Sequence, residues 1–346
     1  MKAPGEEILG KLWDTLADKG MGSLLRPSQI RREERARTEG KVHNLLSLAQ
    51  AEKYAEEIKA GLATYQQDGK LKYLGSLDTD ETERDSNGRI EPSLSFDFTP
   101  IKLKADADIL RKEINETKAI IFAEEILTNT STDEPVNSKP IDDEWLFLWR
   151  ENAGKTSNED IQRLWGSVLA GEIKSPGSYS FRTLEFLKGI TREEANIIQS
   201  VAPYVWENGF IWRNLNVLEQ HGVSYESLLD LQALGILMGV DSENVSMYFE
   251  SVFSDKYLFT IKCHNRMLAF QHADPKQRLT MPAIRLTSIG KQVIKLEHTV
   301  AKDDFMAEYA LLYKEQNFTA LLGDFEVVYE NDMPTHFKGI NMVSIY

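Results

Sequence analysis

A chain of 346 residues exceeds the usual span of one domain and leaves ample length for a buried core, so two or three units are expected. With 42% hydrophobic and 27% charged residues, and no apolar run near the roughly 18 residues needed to cross a bilayer, the composition is that of a soluble globular protein, not a membrane-spanning one. The formal charge of -14 excludes a coat for nucleic acid over the whole surface, and the single cysteine, Cys263, excludes an internal disulfide, which fits a cytoplasmic location.

The opening segment MKAPGEEILGKLWDTLADKG has acids close behind its first lysine and no unbroken apolar core, so it does not read as a secretory signal. Ile8, Leu9, Leu12 and Leu16 instead recur at helical spacing, ending near Gly20 and Gly22. Asp14 and Asp18 interrupt the polar face, which favours helix packing or self-association over a membrane surface. From Ser28 the chain is rich in Arg, Glu, Ala and Lys and reads as a long exposed helix to about Gly61. Residues 73–100 combine Ser, Asp, Thr, Pro and Asn-Gly and read as a linker or mobile loop. Ile101–Thr128 returns to a helical pattern, broken by STDEPVNSKP.

The run from Asp142 to Ile190 reads as three short helices with capped turns. Ile161, Leu164, Trp165, Val168 and Leu169 form a core-facing stripe, with Thr156 or Ser157 placed to cap its start. Lys174–Ser178 turns the chain into the helix carrying Phe181, Leu184 and Leu187, and Thr191 with Glu194 has the spacing of a capping box. Ser224–Leu234 supplies another helix, stopped at Gly235. Beyond it VSMYFES, KYLFTIKC, RMLAFQ and MPAIRLT, separated by turn residues, read as short strands. A short helix over Thr287–Leu296 completes the order expected of a winged-helix unit. The tail offers a helix over Phe305–Lys314 and one strand over Phe325–Asn331. The fold class is therefore mainly α with a smaller α+β part. It divides into N-terminal helices over 1–72, a loop over 73–100, a second long helix and linker over 101–140, a central helical domain over 141–235 and a winged-helix-like region over 236–346.

RLWGSVLAGEIKSPGSYSFRTLEFLKGI, Leu231–Ile236 and Leu286–Gly290 together match a pattern of ELWxxILAGE, PGSxSxRTLExLK, LxxLGI and LTxxG. In these, and in LLRPSQIRREERAR, the chain resembles bacterial proteins grouped as domain of unknown function 2806. The resemblance spans most of the chain, is carried best by Leu164–Lys188 and has no counterpart for Lys70–Pro100. It implies no reaction and no catalytic residues. The LW-x-x-LLA block is more distantly similar to abortive-infection alpha proteins, which implies a role in phage defence.

Chemistry is sparse. Gly154-Lys155-Thr156 lacks the earlier glycine of a phosphate loop, since Trp149 stands there, so a loop and helix cap are expected. Asp142, Asp143 and Glu144 fit a helix start better than a metal. Cys263, His264, His272 and Asp274 come nearest to a metal cluster, but Cys263 and His264 on one strand would point to opposite faces, so no metal or cofactor is expected. Trp145, Trp149, Trp165, Trp206 and Trp212 lie in apolar helical stripes and read as core. The functional lead is charge. Eight basic residues against Asp274 alone make 256–295 +7, leaving -21 on the rest. Lys256, Lys262, Arg266, Lys276, Arg278 and Arg285 are the candidate contacts to nucleic acid or another anion. Against this, the helix Ser224–Leu234 carries Glu226 and Asp230 and no basic residue. The expected function is a non-enzymatic interaction protein, homo-oligomeric or with a protein partner. The alternatives are a nucleic-acid binder and an infection-triggered nuclease.

Overall fold

The computed structural model describes residues 4–21, 53–54, 56–60, 63–65, 71–73, 99–129, 137, 139–242, 245–297, 299–330 and 333–346. Most of the long helix expected from Ser28, and nearly all of the loop expected over 73–100, lie outside these residues. The chain forms two compact units, Met1–Gly177 and Ser178–Tyr346.

The first unit is built on helices. Its helix α1, Pro4–Asp18, buries Ile8, Leu12 and Leu16, the spacing that the sequence predicts. It is fastened by polar contacts: Lys11 Nζ donates to the carbonyls of Asn137 and Ile173. Lys19 Nζ lies 2.6 Å from Asp143 Oδ2. The strands β1, Ala63–Tyr65, and β2, Leu71–Tyr73, form an antiparallel pair just beyond Gly61, where the long helix is expected to end, in a stretch with no expected strand. Helix α2 runs 31 residues, Thr99–Asn129. At 1.5 Å per residue it is about 46 Å long.

Against α2 pack α3, Asp143–Lys155, and α4, Glu159–Lys174. Asp142 caps α3, accepting from Trp145 N at 3.0 Å. Gly154 and Lys155 are the last residues of α3, and Thr156 closes it through Asn152 O. The cap of α4 is Asn158, not Thr156 or Ser157; it immediately precedes the first helical residue and accepts from Ile161 N at 3.2 Å. Thr156 is held to the preceding helix, which is why it does not cap the next. A polar seam lies among these helices. Asn115 Nδ2 donates to Gly154 O, and Gln162 Nε2 donates to both Asn115 Oδ1 and Thr156 O. Arg150 reaches Glu113 and Glu116 at 2.7 and 2.8 Å.

The second unit begins with α5, Phe181–Gly189, and α6, Arg192–Val201. Thr191 and Glu194 make the expected capping box. After a short 3-10 turn come β3, Val205–Trp206, and β4, Phe210–Trp212, so Trp206 and Trp212 are strand residues and not helical ones, although both are core. Next come α7, Leu215–Gln220, α8, Tyr225–Ala233, and β5, Leu237–Met238, with Gly235 at a left-handed φ of 74° ending α8. Strands β6, Ser246–Phe249, β7, Tyr257–Cys263, β8, Arg266–His272, and β9, Leu279–Leu286, follow as the sequence predicts. The unit closes with α9, Ser288–Ile294, and α10, Asp303–Leu311, and then two strands where one was expected, β10, Thr319–Glu330, and β11, Met333–Ser344. Pro334, Gly339 and a left-handed Asn341 obscure β11 in the sequence, and its pairing with β10 supplies the structure.

All strand pairings are antiparallel. One sheet has the order β3-β4-β9-β5, with β6 also on β9, and the other has the order β11-β10-β8-β7. Helix α10 brings Phe305 against Trp212, at 5.5 Å between ring centroids, and Tyr309 against both Trp206 and Phe270, at 5.5 and 5.9 Å. One helix thus fills the space between rings of both sheets. Thr287 caps α9 and also donates to Gly235 O, and a Cβ on Gly290 would collide with the Ile236 carbonyl oxygen. The LGI and LTxxG signatures are one packing device.

Candidate functional site

The basic stretch does not form one surface. Lys262, on the buried end of β7, is 8% exposed; its Nζ meets Glu207 Oε1 at 2.5 Å and sits 2.8 Å from the centroid of the Phe337 ring. Arg266 opens β8 and holds Asp303 through Nε and Nη2, at 2.9 and 2.8 Å, and Asp324 through Nη1. Hydrogen bonds from Asn341 and from Arg266 hold the Asp324 carboxyl below the usual carboxylate range. Arg278 pairs with Glu250 at 2.6 Å, both side chains more than half exposed. Among the described residues Lys256, Lys276 and Arg285 form no ion pair, and all three are exposed. Arg285 stands opposite Phe210 in the β4–β9 register. Lys291 lays its stem over the neighbouring Gly209.

The four candidate metal ligands fall into two places. Cys263 Sγ contacts the carbonyls of Pro203 and Val205, and His264, in the turn after β7 at φ 48°, has Nε2 2.7 Å from Ala202 O. Burial pushes the Cys263 thiol up to about 12. His272 and Asp274 lie at the far end of β8, roughly 20 Å away at 3.3 Å per strand residue. Among the described residues no group of three His, Cys, Asp or Glu side chains is set to hold an ion, and no helix is long and apolar enough to cross a membrane.

One histidine that carries no signal in the sequence touches two carboxylates. His221 has Nε2 3.3 Å from Glu308 Oε1 and Nδ1 3.7 Å from Asp304 Oδ2. Both ring nitrogens face acids four residues apart on α10, so the ring ties α10 to the end of α7 instead of presenting a nitrogen to solvent. Only the fold could reveal this, because the partners lie more than 80 residues away.

An open cleft of 390 Å³ lies at one end of the sheet β11-β10-β8-β7, lined by Lys256, Leu258, Gln271, His272, Asn317 and Thr319 together with Tyr257 and Ala273. Leu258, Gln271 and Thr319 are direct cross-strand partners and therefore share a face. Of these residues only Lys256 was singled out by charge.

Fold and site together define a two-unit protein, one unit helical and one of helices with antiparallel sheets, whose candidate surface is a polar cleft at a sheet end. Residues 110–214 match the family model described as "Protein of unknown function (DUF2806)", the family that the Leu164–Lys188 block resembles. No curated protein and no solved structure matches the chain.

Proposed function

We propose that this protein is a non-enzymatic bacterial interaction protein of the cytosol that works as a self-associated assembly, with a winged-helix-like part in its second unit. Supporting the winged-helix reading, α7 and α8 lie between β4 and β5, and the sheet order is β4-β9-β5, with the last strand in the middle. The connection that would form the wing, from β6 to β9, carries the extra hairpin β7–β8, which is joined to β10. The observation that carries the functional reading is the neutralisation of that hairpin: Lys262 and Arg266 are engaged by Glu207, Asp303 and Asp324 within the same unit. Helix α8 adds exposed Glu226 and Asp230, which repel phosphate. A role in phage defence is part of the proposal and rests on the likeness of the LW-x-x-LLA block to abortive-infection alpha proteins.

The test is light scattering of the full chain at micromolar concentration. An assembly larger than one chain is expected, and a strict monomer overturns the self-association. A second reading, nucleic-acid binding, is favoured by Lys276, Arg285, Lys291 and Lys295, which are exposed and outside the ion pairs of the described residues. It predicts binding to DNA or RNA at low salt that weakens as salt rises, and it fails if low-salt anisotropy shows none.

A further inference from the structure

We propose that the cleft at the end of the sheet β11-β10-β8-β7 binds the oxyanion of a small ligand, a phosphate or carboxylate group. The proposal is independent of the assembly reading above. It starts from three adjacent strands. Leu258 on β7, Gln271 on β8 and Thr319 on β10 are cross-strand partners and share a face. Lys256, Ala273 and Asn317, just beyond the ends of these strands, line the same cleft.

The cleft gathers residues that can donate hydrogen bonds. Lys256, Gln271, Asn317 and Thr319 line it, and among the described residues no Asp or Glu does. Lys256 Nζ lies 5.9 Å from the centroid of the Phe253 ring and, among the described residues, makes no ion pair. His272 also lines the cleft, with its Nδ1 2.9 Å from Asp274 N and 3.3 Å from Asp274 O. The Asp274 carboxylate, the acid closest in sequence to this ring, is turned to the Lys276 backbone N–H at 2.9 Å and does not line the cleft. Asn317 is fixed in the left-handed region at φ 61°, and the chain re-enters β10 two residues later. In a protein of formal charge -14, a cleft with donors and no carboxylate is selective for an anionic group.

The experiment titrates inorganic phosphate and, separately, acetate into the full chain at constant ionic strength, reading backbone amide shifts by TROSY NMR. Saturable shifts confined to Gln271, His272, Asn317 and Thr319 are expected, and whichever anion saturates at lower concentration identifies the group. Lys256→Ala weakens binding about tenfold, the worth of one charge-assisted hydrogen bond, while Lys276→Ala, outside the cleft, leaves it unchanged. Gln271→Ala is the second variant, on a neutral donor. It weakens binding without altering net charge. Shifts that never saturate, or equal losses in Lys256→Ala and Lys276→Ala, overturn the proposal, because either result means general attraction and no site.

Discussion

Gly166 is the sharpest test of how the first unit is packed. It lies inside α4, where glycine costs about 1 kcal/mol against alanine, so helix propensity alone predicts that Gly166→Ala stabilises. The packing predicts the reverse. A Cβ at this position would lie 2.6 Å from Phe122 Cβ, 2.9 Å from the Ala119 carbonyl oxygen and 3.0 Å from Ala123 N, all on α2. Two of these are backbone atoms that no rotamer change can move, so α2 and α4 must separate along their contact. Overpacking of a tight interior costs about 1–3 kcal/mol, and obstruction by backbone places this site in the upper part of that range. Subtracting the propensity gain leaves a net loss of about 1–2 kcal/mol.

Gly10, within α1, is the matched control, since a Cβ there meets nothing within 4 Å. Gly10→Ala should raise stability by about 0.5–1 kcal/mol. Urea unfolding of both variants supplies the magnitudes, and hydrogen exchange places the loss from Gly166→Ala in α2 and α4. If Gly166→Ala stabilises as Gly10→Ala does, the close crossing of α2 and α4 is wrong.

Thr191→Ala removes one arm of the capping box and should cost about 1 kcal/mol, with amide protection lost first in the opening turn of α6. Asn341→Gly keeps the left-handed backbone, removes the side chain 3.2 Å from Asp324 Oδ2, and should raise the Asp324 pKa in a carboxyl NMR titration. Because the folded carboxyl titrates below its unfolded value, its stabilisation is present above that unfolded value and is lost as pH falls through the folded one. Asn341→Gly therefore weakens the acid dependence of stability below about pH 4, and an unmoved Asp324 pKa would contradict the bond. Cys263, buried and with its thiol pushed up to about 12, should resist a thiol reagent at pH 8 in the native protein and react at once in urea; rapid native labelling would contradict the burial.

The helical part was legible because its signals are local. Ser224 and Gly235 bound α8, Thr191 and Glu194 box α6, and the Ile161–Leu169 stripe turns one side of α4 inward, each within a dozen residues. What stayed hidden depends on partners distant in the chain. β11 carries a proline, a glycine and a left-handed asparagine, and becomes a strand through its register with β10. The strand placement of Trp206 and Trp212 likewise comes from pairing with one another's strands and with β9. Of the candidate cleft, Lys256 was visible as a charge, whereas Gln271, Asn317 and Thr319 carry no signal until three strands lie side by side.

The charge map makes the same point about function. A window of sequence counts only the acids inside it, and from 256 to 295 that is Asp274 alone. The acids that answer Lys262, Arg266 and Arg278 are Glu207, Asp303, Asp324 and Glu250, all outside the window, and the antiparallel pairing and α10 bring them in. A net charge along a β-rich segment therefore measures its field only after cross-strand partners are included, because neighbours a few ångströms apart across a sheet are tens of residues apart in sequence. Counted in space, three of the six candidate contacts are already answered by carboxylates, and Lys256, Lys276 and Arg285 are left to attract an anion. Of these three, Lys256 alone lines the cleft at the sheet end, among residues whose side chains can donate, and that placement shows only once the strands are paired.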